Sequence, residues 1–174
     1  MWMGSTPYKR LSAESGSYND SKDEMPMASQ TPCAQFSHAE RVRYADTDAQ
    51  GHVFFGNYYT YMDEAFMAYL GELGYPWARL VEMGVEIYYA ASNCQYKGRA
   101  FFGDRLHIYP EISGLGNSSL TVAMRVIRAG DGEKVVAEGT ITGVFMEIAS
   151  GQSTPMPEAF REAVRRYQDG RPSA

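Results

Sequence analysis

Soft metal ligands are scarce in this chain of 174 residues, which has two cysteines, Cys33 and Cys94, and three histidines. Their spacing fits no zinc pattern, and one cysteine pair builds no disulfide framework. Neither a metal nor an oxidising compartment is expected, and a reducing cytoplasm is the default location. A basic excess is missing too. Lys and Arg number 16 against 21 Asp and Glu, a formal net charge of -5, whereas binding along a nucleic-acid backbone needs a basic face. No apolar run is long enough to cross a bilayer. The first residues offer no continuous apolar stretch behind a basic start, so no secretory leader is expected. Nucleic acid and membrane are therefore not expected partners.

What the chain does have is enough apolar matter for one core, at 44% hydrophobic residues. It is unevenly spread. Residues 1–36 are rich in Ser, Glu, Asp, Met and Pro without helical or alternating period, and such a segment cannot bury enough surface to offset its ordering entropy. The expected organisation is a loosely ordered tail over 1–36 and one folded domain over 37–170.

The stretch 44–73 organises that domain. A short strand over 41–44 should lead to two carboxylates two residues apart, Asp46 and Asp48, then to a Gly-containing turn and a helix. At 100° per residue Tyr58, Met62, Ala65, Phe66, Tyr69 and Leu73 share one apolar arc, with Thr60, Asp63 and Glu64 opposite. Asn57 suits the N-cap, and Gly74 followed by Pro76 supplies the stop. The first turn of such a helix leaves amide N–H groups unpaired and carries a partial positive charge of roughly half a unit. An acid beside donors aimed at developing negative charge is a parts list for acyl transfer.

Beyond residue 84 the period changes from helical to alternating. Residues 85–96 are β-rich and aromatic. Leu106, Ile108, Pro110 and Ile112 share a face, Pro110 suggesting an edge or bulge, and Leu120, Val122, Met124 and Val126 alternate with Thr121, Ala123 and Arg125. A Gly-Asp-Gly hairpin signal leads into a strand over 134–147, and 157–167 reads as a short amphipathic helix opened by Pro157. The order predicts an α+β layer in which an antiparallel sheet wraps one long helix.

The segment Asp46-Thr47-Asp48-Ala49-Gln50-Gly51-His52-Val53, with Asn57-Tyr58 beyond it, resembles the active-site segment of hot-dog-fold acyl-CoA thioesterases of the 4-hydroxybenzoyl-CoA thioesterase type. The likeness is strongest over 44–64 and pattern-like to 167. It implies a hot-dog fold that is at least a homodimer and expected as a homotetramer. It makes Asp48 the catalytic carboxylate and has N–H groups around Phe55, Gly56 and Asn57 polarise the thioester carbonyl. The substrate would be an acyl-CoA, with no separate cofactor and no metal.

Each candidate also has a bland role. Asp48 could cap a turn, and Asp46 is expected to orient the turn by hydrogen bonds. His52 is a positioning or substrate-touching candidate, although a thiol of reference pKa about 8.5 leaves readily without an acid. Asn57 could both cap and hold water. Phe54, Tyr58 and Tyr61 could line an acyl pocket, and Asp63 and Glu64, read as solvated, come next if Asp48 proves silent. For the carrier, the family often has cations at the turn matching 114–119, where this chain has Gly-Leu-Gly-Asn-Ser-Ser. Ser118, Ser119 and Arg99 are then the candidate CoA contacts, with Lys97, Arg105, Arg125 and Arg128 as further cations, and an acyl-carrier protein stays open as partner. An acyl-thioester hydratase or dehydratase and a non-catalytic thioester-binding scaffold are the competing functions.

Overall fold

The computed structural model describes residues 36–130, 132 and 134–170. All but the last residue of the expected tail therefore lies outside the described residues. Phe36, the exception, packs against the core with its ring 5.7 Å from that of Tyr69.

Five strands form one antiparallel sheet in the order β1-β3-β4-β5-β2. They are β1 (His38–Arg41), β2 (Val85–Tyr96), β3 (Arg105–Leu115), β4 (Ser119–Arg128) and β5 (Lys134–Glu147). In β3, β4 and β5 buried and wetter residues alternate over most of each strand, with a break where the β4–β5 register shifts at Val126 and Ile127. One face therefore takes Leu106, Ile108, Ile112, Leu120, Val122, Met124, Val126 and Phe145 into the core. The expected strand at 41–44 lies three residues earlier, because the chain turns at Tyr44–Asp46 into one 3-10 turn. β1 pairs with β3 only from His38 to Arg41. Pro110 thus falls beyond that ladder, where a missing N–H costs nothing on the β1 side.

Helix α1 (Asn57–Glu72) is the axle of the fold. Tyr58, Tyr61, Met62, Ala65, Phe66, Tyr69 and Leu70 bury one broad stripe, so the helix is held chiefly by packing rather than propensity. It ends in a left-handed Gly74, φ 80°, with the Tyr75 N–H donating to Leu70 O at 2.8 Å, the bond pattern of a glycine-capped helix end. Close approach of the sheet is permitted by Gly139 on β5. A Cβ there would stand 2.5 Å from Asn93 O and 3.0 Å from Met62 Cε. Sequence period missed α2 (Trp77–Glu82), six residues with only Leu80 buried, too short to show a repeat. Helix α3 (Glu158–Asp169) seals one end of the core, Phe160 meeting Phe145 and Tyr75 with ring centroids 5.2 Å apart in each pair. Among the described residues no helix is long and apolar enough to cross a membrane.

The two sheet edges differ. β1 is four residues long, whereas β2 is twelve and pairs with β5 alone. From Tyr88 onward nearly every β2 residue is exposed on both faces.

Candidate active site

The segment between β1 and α1 is built on Asp46. Its carboxylate is 4% exposed and accepts the Arg43 backbone N–H at 2.7 Å and the Arg43 guanidinium at 2.9 to 3.2 Å. Burial pushes this carboxyl upward, but the Arg43 side-chain and backbone hydrogen bonds outweigh it and hold the group below its ordinary value. The buried Tyr61 hydroxyl faces the same charge. It has no partner within ordinary hydrogen-bond geometry, and burial, then Asp46, hold its proton on. The Asp46 carbonyl ties the next element down by accepting the Phe54 N–H at 2.9 Å and Asn57 Nδ2 at 2.8 Å.

Between those ties lies a miniature hairpin. Thr47 bridges Val53, Asp48 N–H donates to His52 O at 3.0 Å, and Gly51 at φ 79° closes the turn by donating to Asp48 O at 2.9 Å. Asp48 sits in this turn with its side chain 25% exposed. Its Oδ1 accepts the Gln50 N–H at 2.8 Å, and its Oδ2 lies 3.8 Å from His52 Nδ1. The same Nδ1 is 3.1 Å from Val53 O. A carbonyl can only accept, so Nδ1 is the donor in that contact. The whole hairpin leans on the loop after β2 through Val53 N–H to Ala100 O at 2.8 Å and the His52–Phe101 bridge.

The start of α1 departs from expectation in two ways. Gly56, not Asn57, is the N-cap, and no side chain caps it, because Asn57 Nδ2 is turned back onto Asp46 O. Asn57 N–H is also engaged, donating to Phe54 O at 2.9 Å. The amides of Phe55, Gly56 and Tyr58 make no such backbone bond among the described residues. The unpaired donors expected of a first turn are therefore these three.

The aromatic residues divide. Phe54 and Phe55 are exposed, with ring centroids 4.5 Å apart. Tyr58 and Tyr61, expected to line an acyl pocket, are 3% and 2% exposed and belong to the core. Periodicity identified their face but not that the sheet covers it. Sequence reading passed over Tyr96, whose hydroxyl donates to Phe55 O at 3.2 Å while its ring lies 5.6 Å from that of Tyr58. Burial pushes the Tyr58 and Tyr96 phenols up to about 12. It pushes the neighbouring Cys94 thiol up as well, against a hydrogen bond with Tyr96, so Cys94 is kept from being a ready thiolate.

Further along α1 a cleft of about 370 Å³ opens against β2, lined by Tyr59, Thr60, Asp63, Tyr89, Ser92 and Ile141. The Tyr89 hydroxyl donates to Asp63 Oδ1. Asp63 is therefore partnered in a cleft rather than simply solvated, a contact between residues 26 apart that local pattern could not reveal. Of the expected CoA contacts, Arg99 lies in the loop beside the hairpin, its carbonyl accepting Arg128 Nη1 at 2.9 Å. Ser118 and Ser119 do not lie there. They sit at the opposite end of β3 from Arg105, about 33 Å away along the strand, where Arg161 Nη2 donates to Gly116 O at 2.7 Å. They do not reach Asp48 of their own protomer. Among the described residues one ligand-like trio, His38, Glu40 and Glu64, brings donor atoms within 4.8 Å of one another, with His38 Nε2 3.7 Å from Glu40 Oε2.

A curled antiparallel sheet around one helix, with a carboxylate hairpin at the helix start, is the architecture of hot-dog thioester hydrolases. The comparisons agree. A family model described as the Thioesterase-like superfamily matches residues 42–164. A solved gentisyl-coenzyme A thioesterase is 32% identical, with a TM-score of 0.67 over 74% of this chain and 99% of that one. A protein of Aquifex aeolicus (strain VF5), provisionally described as an esterase, is 28% identical over 120 residues, 65% of this chain and 94% of its own. A 4-hydroxybenzoyl-CoA thioesterase mutant solved with 4-hydroxybenzoyl-CoA shares the fold, at 23% identity and a TM-score of 0.69 over 74% of this chain and 97% of that one. The chain belongs to the Thioesterase-like superfamily and is a thioester hydrolase.

Proposed function

We propose that this protein hydrolyses an acyl-CoA thioester to a free acid and coenzyme A, with Asp48 as the working carboxylate. One observation carries the reading. The Asp46 carbonyl fastens the Asp48 hairpin to the helix start, so a partly exposed carboxylate and unpaired first-turn amides are parts of one rigid unit. The thioester carbonyl oxygen accepts from the amides of Phe55 and Gly56, which stabilise the charge that develops there. Either an Asp48 oxygen attacks the carbonyl carbon, the C–S bond breaks to release the thiolate and water opens the mixed anhydride, or Asp48 takes a proton from water as that water attacks. Both routes consume one water and need no metal or prosthetic group. His52, with Nδ1 held at Val53 O, stands beside Oδ2 of Asp48 without bonding it and ties the hairpin to Phe101. The exposed faces of Phe54 and Phe55 flank the thioester. Similarity to the gentisyl-coenzyme A thioesterase, at 32% identity, favours a CoA ester.

The unpaired β2 edge is the seam of a homodimer. A twelve-residue strand without charge or proline to blunt its outer half is the kind of edge that a second strand covers, and further pairing of dimers would give a tetramer.

Thiol release from short-chain, long-chain and aromatic acyl-CoAs tests the reading beside Asp48→Asn. Turnover by the wild type with a loss of about 1,000-fold or more in the variant is expected. Full activity in Asp48→Asn would remove the assignment.

A further inference from the structure

The outward face of the β1–β3 ladder holds two opposed cations. Arg41 and Arg105 are direct cross-strand partners. Both are exposed, while Val42 and Leu106 beside them turn into the core. Like charges placed opposite each other weaken a ladder. Among the described residues no carboxylate comes within ion-pair distance of either guanidinium. The two chains run on together past this pair, with Val42 N–H donating to Asp104 O at 3.0 Å and Gly103 N–H to Val42 O at 2.9 Å. Tyr44 and Phe102 then meet edge to face, centroids 6.1 Å apart. At 79% and 64% exposure they are the most open large apolar side chains described. Each ring touches the other, and most of both surfaces stays in water.

The strip runs directly into the site. Tyr44 O accepts both the N–H and the hydroxyl of Thr47, and Phe101, next to Phe102, bridges to His52. Arg43 stands between the cations and the rings, but its guanidinium is largely engaged by Asp46. Arg41 and Arg105 are the uncommitted pair. Asp48 lies seven positions beyond Arg41, a span of at most about 25 Å, within the reach of an extended pantetheine arm. Guanidinium pairs bind phosphate through charge-assisted hydrogen bonds, and an open aromatic face stacks a nucleobase.

We infer that the strip made by Arg41, Arg105, Tyr44 and Phe102 docks the 3′-phosphorylated ADP end of coenzyme A, the phosphates on the arginines and the adenine on the rings. This rests on the acyl-CoA reading and names the part of the chain that selects the carrier. It also supplies the cations that the turn at 114–119 lacks.

One acyl group attached to coenzyme A and to N-acetylcysteamine tests it. The readout is the ratio of kcat/KM for the CoA ester to that for the truncated ester. The double variant Arg41→Gln/Arg105→Gln should lower this ratio at least tenfold, Tyr44→Ala should lower it severalfold, and Arg41→Lys/Arg105→Lys should keep most of it. Adenosine 3′,5′-bisphosphate should bind the wild type in titration calorimetry and lose at least tenfold in affinity on the Gln double variant. That variant should melt no lower than the wild type, since a repulsive pair is relieved. A ratio within twofold of wild type, or a loss confined to an acyl-carrier-protein ester, would overturn the inference. The two readings fail separately. Absence of turnover of either ester, with bisphosphate binding still lost on the variant, would sink the hydrolase and leave the strip standing.

Discussion

Asp46 and Asp48 lie two residues apart in one short segment and end in opposite surroundings. Asp46 has nearly all its acceptor capacity filled by Arg43 and is sealed against Tyr61. Asp48 has one oxygen held by Gln50, and its other faces His52 without an ordinary hydrogen bond. On the proposed reading, the fold thereby separates support from chemistry within a few residues. A carboxylate whose lone pairs are all engaged stabilises structure, and one with spare acceptor capacity beside unpaired amides can act on a substrate.

The comparison breaks if the two residues respond alike to mutation. The largest expected effect is on rate: Asp48→Asn should lose about 1,000-fold or more in kcat, near 4 kcal/mol of barrier, with a melting temperature close to wild type. Thiol release and calorimetry on one preparation decide it. Asp46→Asn should do the reverse, losing about 2 to 3 kcal/mol in urea unfolding through its charge-assisted bonds, with a smaller effect on the chemical step.

The pH dependence sharpens the same contrast. Because Asp46 titrates below its ordinary value when folded, its stabilisation is complete above the unfolded carboxyl range. It is lost as pH falls through the lowered folded value, below about pH 4. Unfolding midpoints taken downward from neutral pH should therefore fall less in Asp46→Asn than in the wild type. A smaller change is expected at the helix start. A Cβ on Gly56 would come 2.8 Å from Phe54 Cε1, an exposed ring that can move. Gly56→Ala should leave stability within about 1 kcal/mol while lowering kcat/KM roughly tenfold as the ring shifts across the amides.

Most of the architecture could be read from period. Strand β5 falls where alternation put it, and α1 where the apolar stripe put it, because each buries a long regular face; β2 falls where its β-rich, aromatic run put it, although only Val85 and Ile87 of it are buried. What stayed hidden depends on contacts between segments. Asn57 has the chemistry of an N-cap, yet its amide is recruited by a carbonyl eleven residues earlier. The 3-10 turn at Tyr44–Asp46 exists because Arg43 closes on Asp46, a pairing without a sequence period. Tyr58 and Tyr61 were assigned to a pocket because a stripe shows which side residues share, not whether another layer covers it. Ser118 and Ser119 were candidate CoA contacts through the turn the resemblance points to, and the length of β3 separates them from Asp48 of the same protomer. The turn that holds Asp48 and His52 was legible because its hydrogen bonds are local.

Gly139 sets the seat of the long edge strand. Met62 and the carbonyl of Asn93 come together there only because a single methyl group is absent. A bulkier residue would push the β2 backbone off β5 beside Asn93, while the flexible end of Met62 gives way. The seating of the long edge strand is thus set by one missing methyl group, and a variant at position 139 should disturb the β2 edge before it reaches any residue of the candidate site.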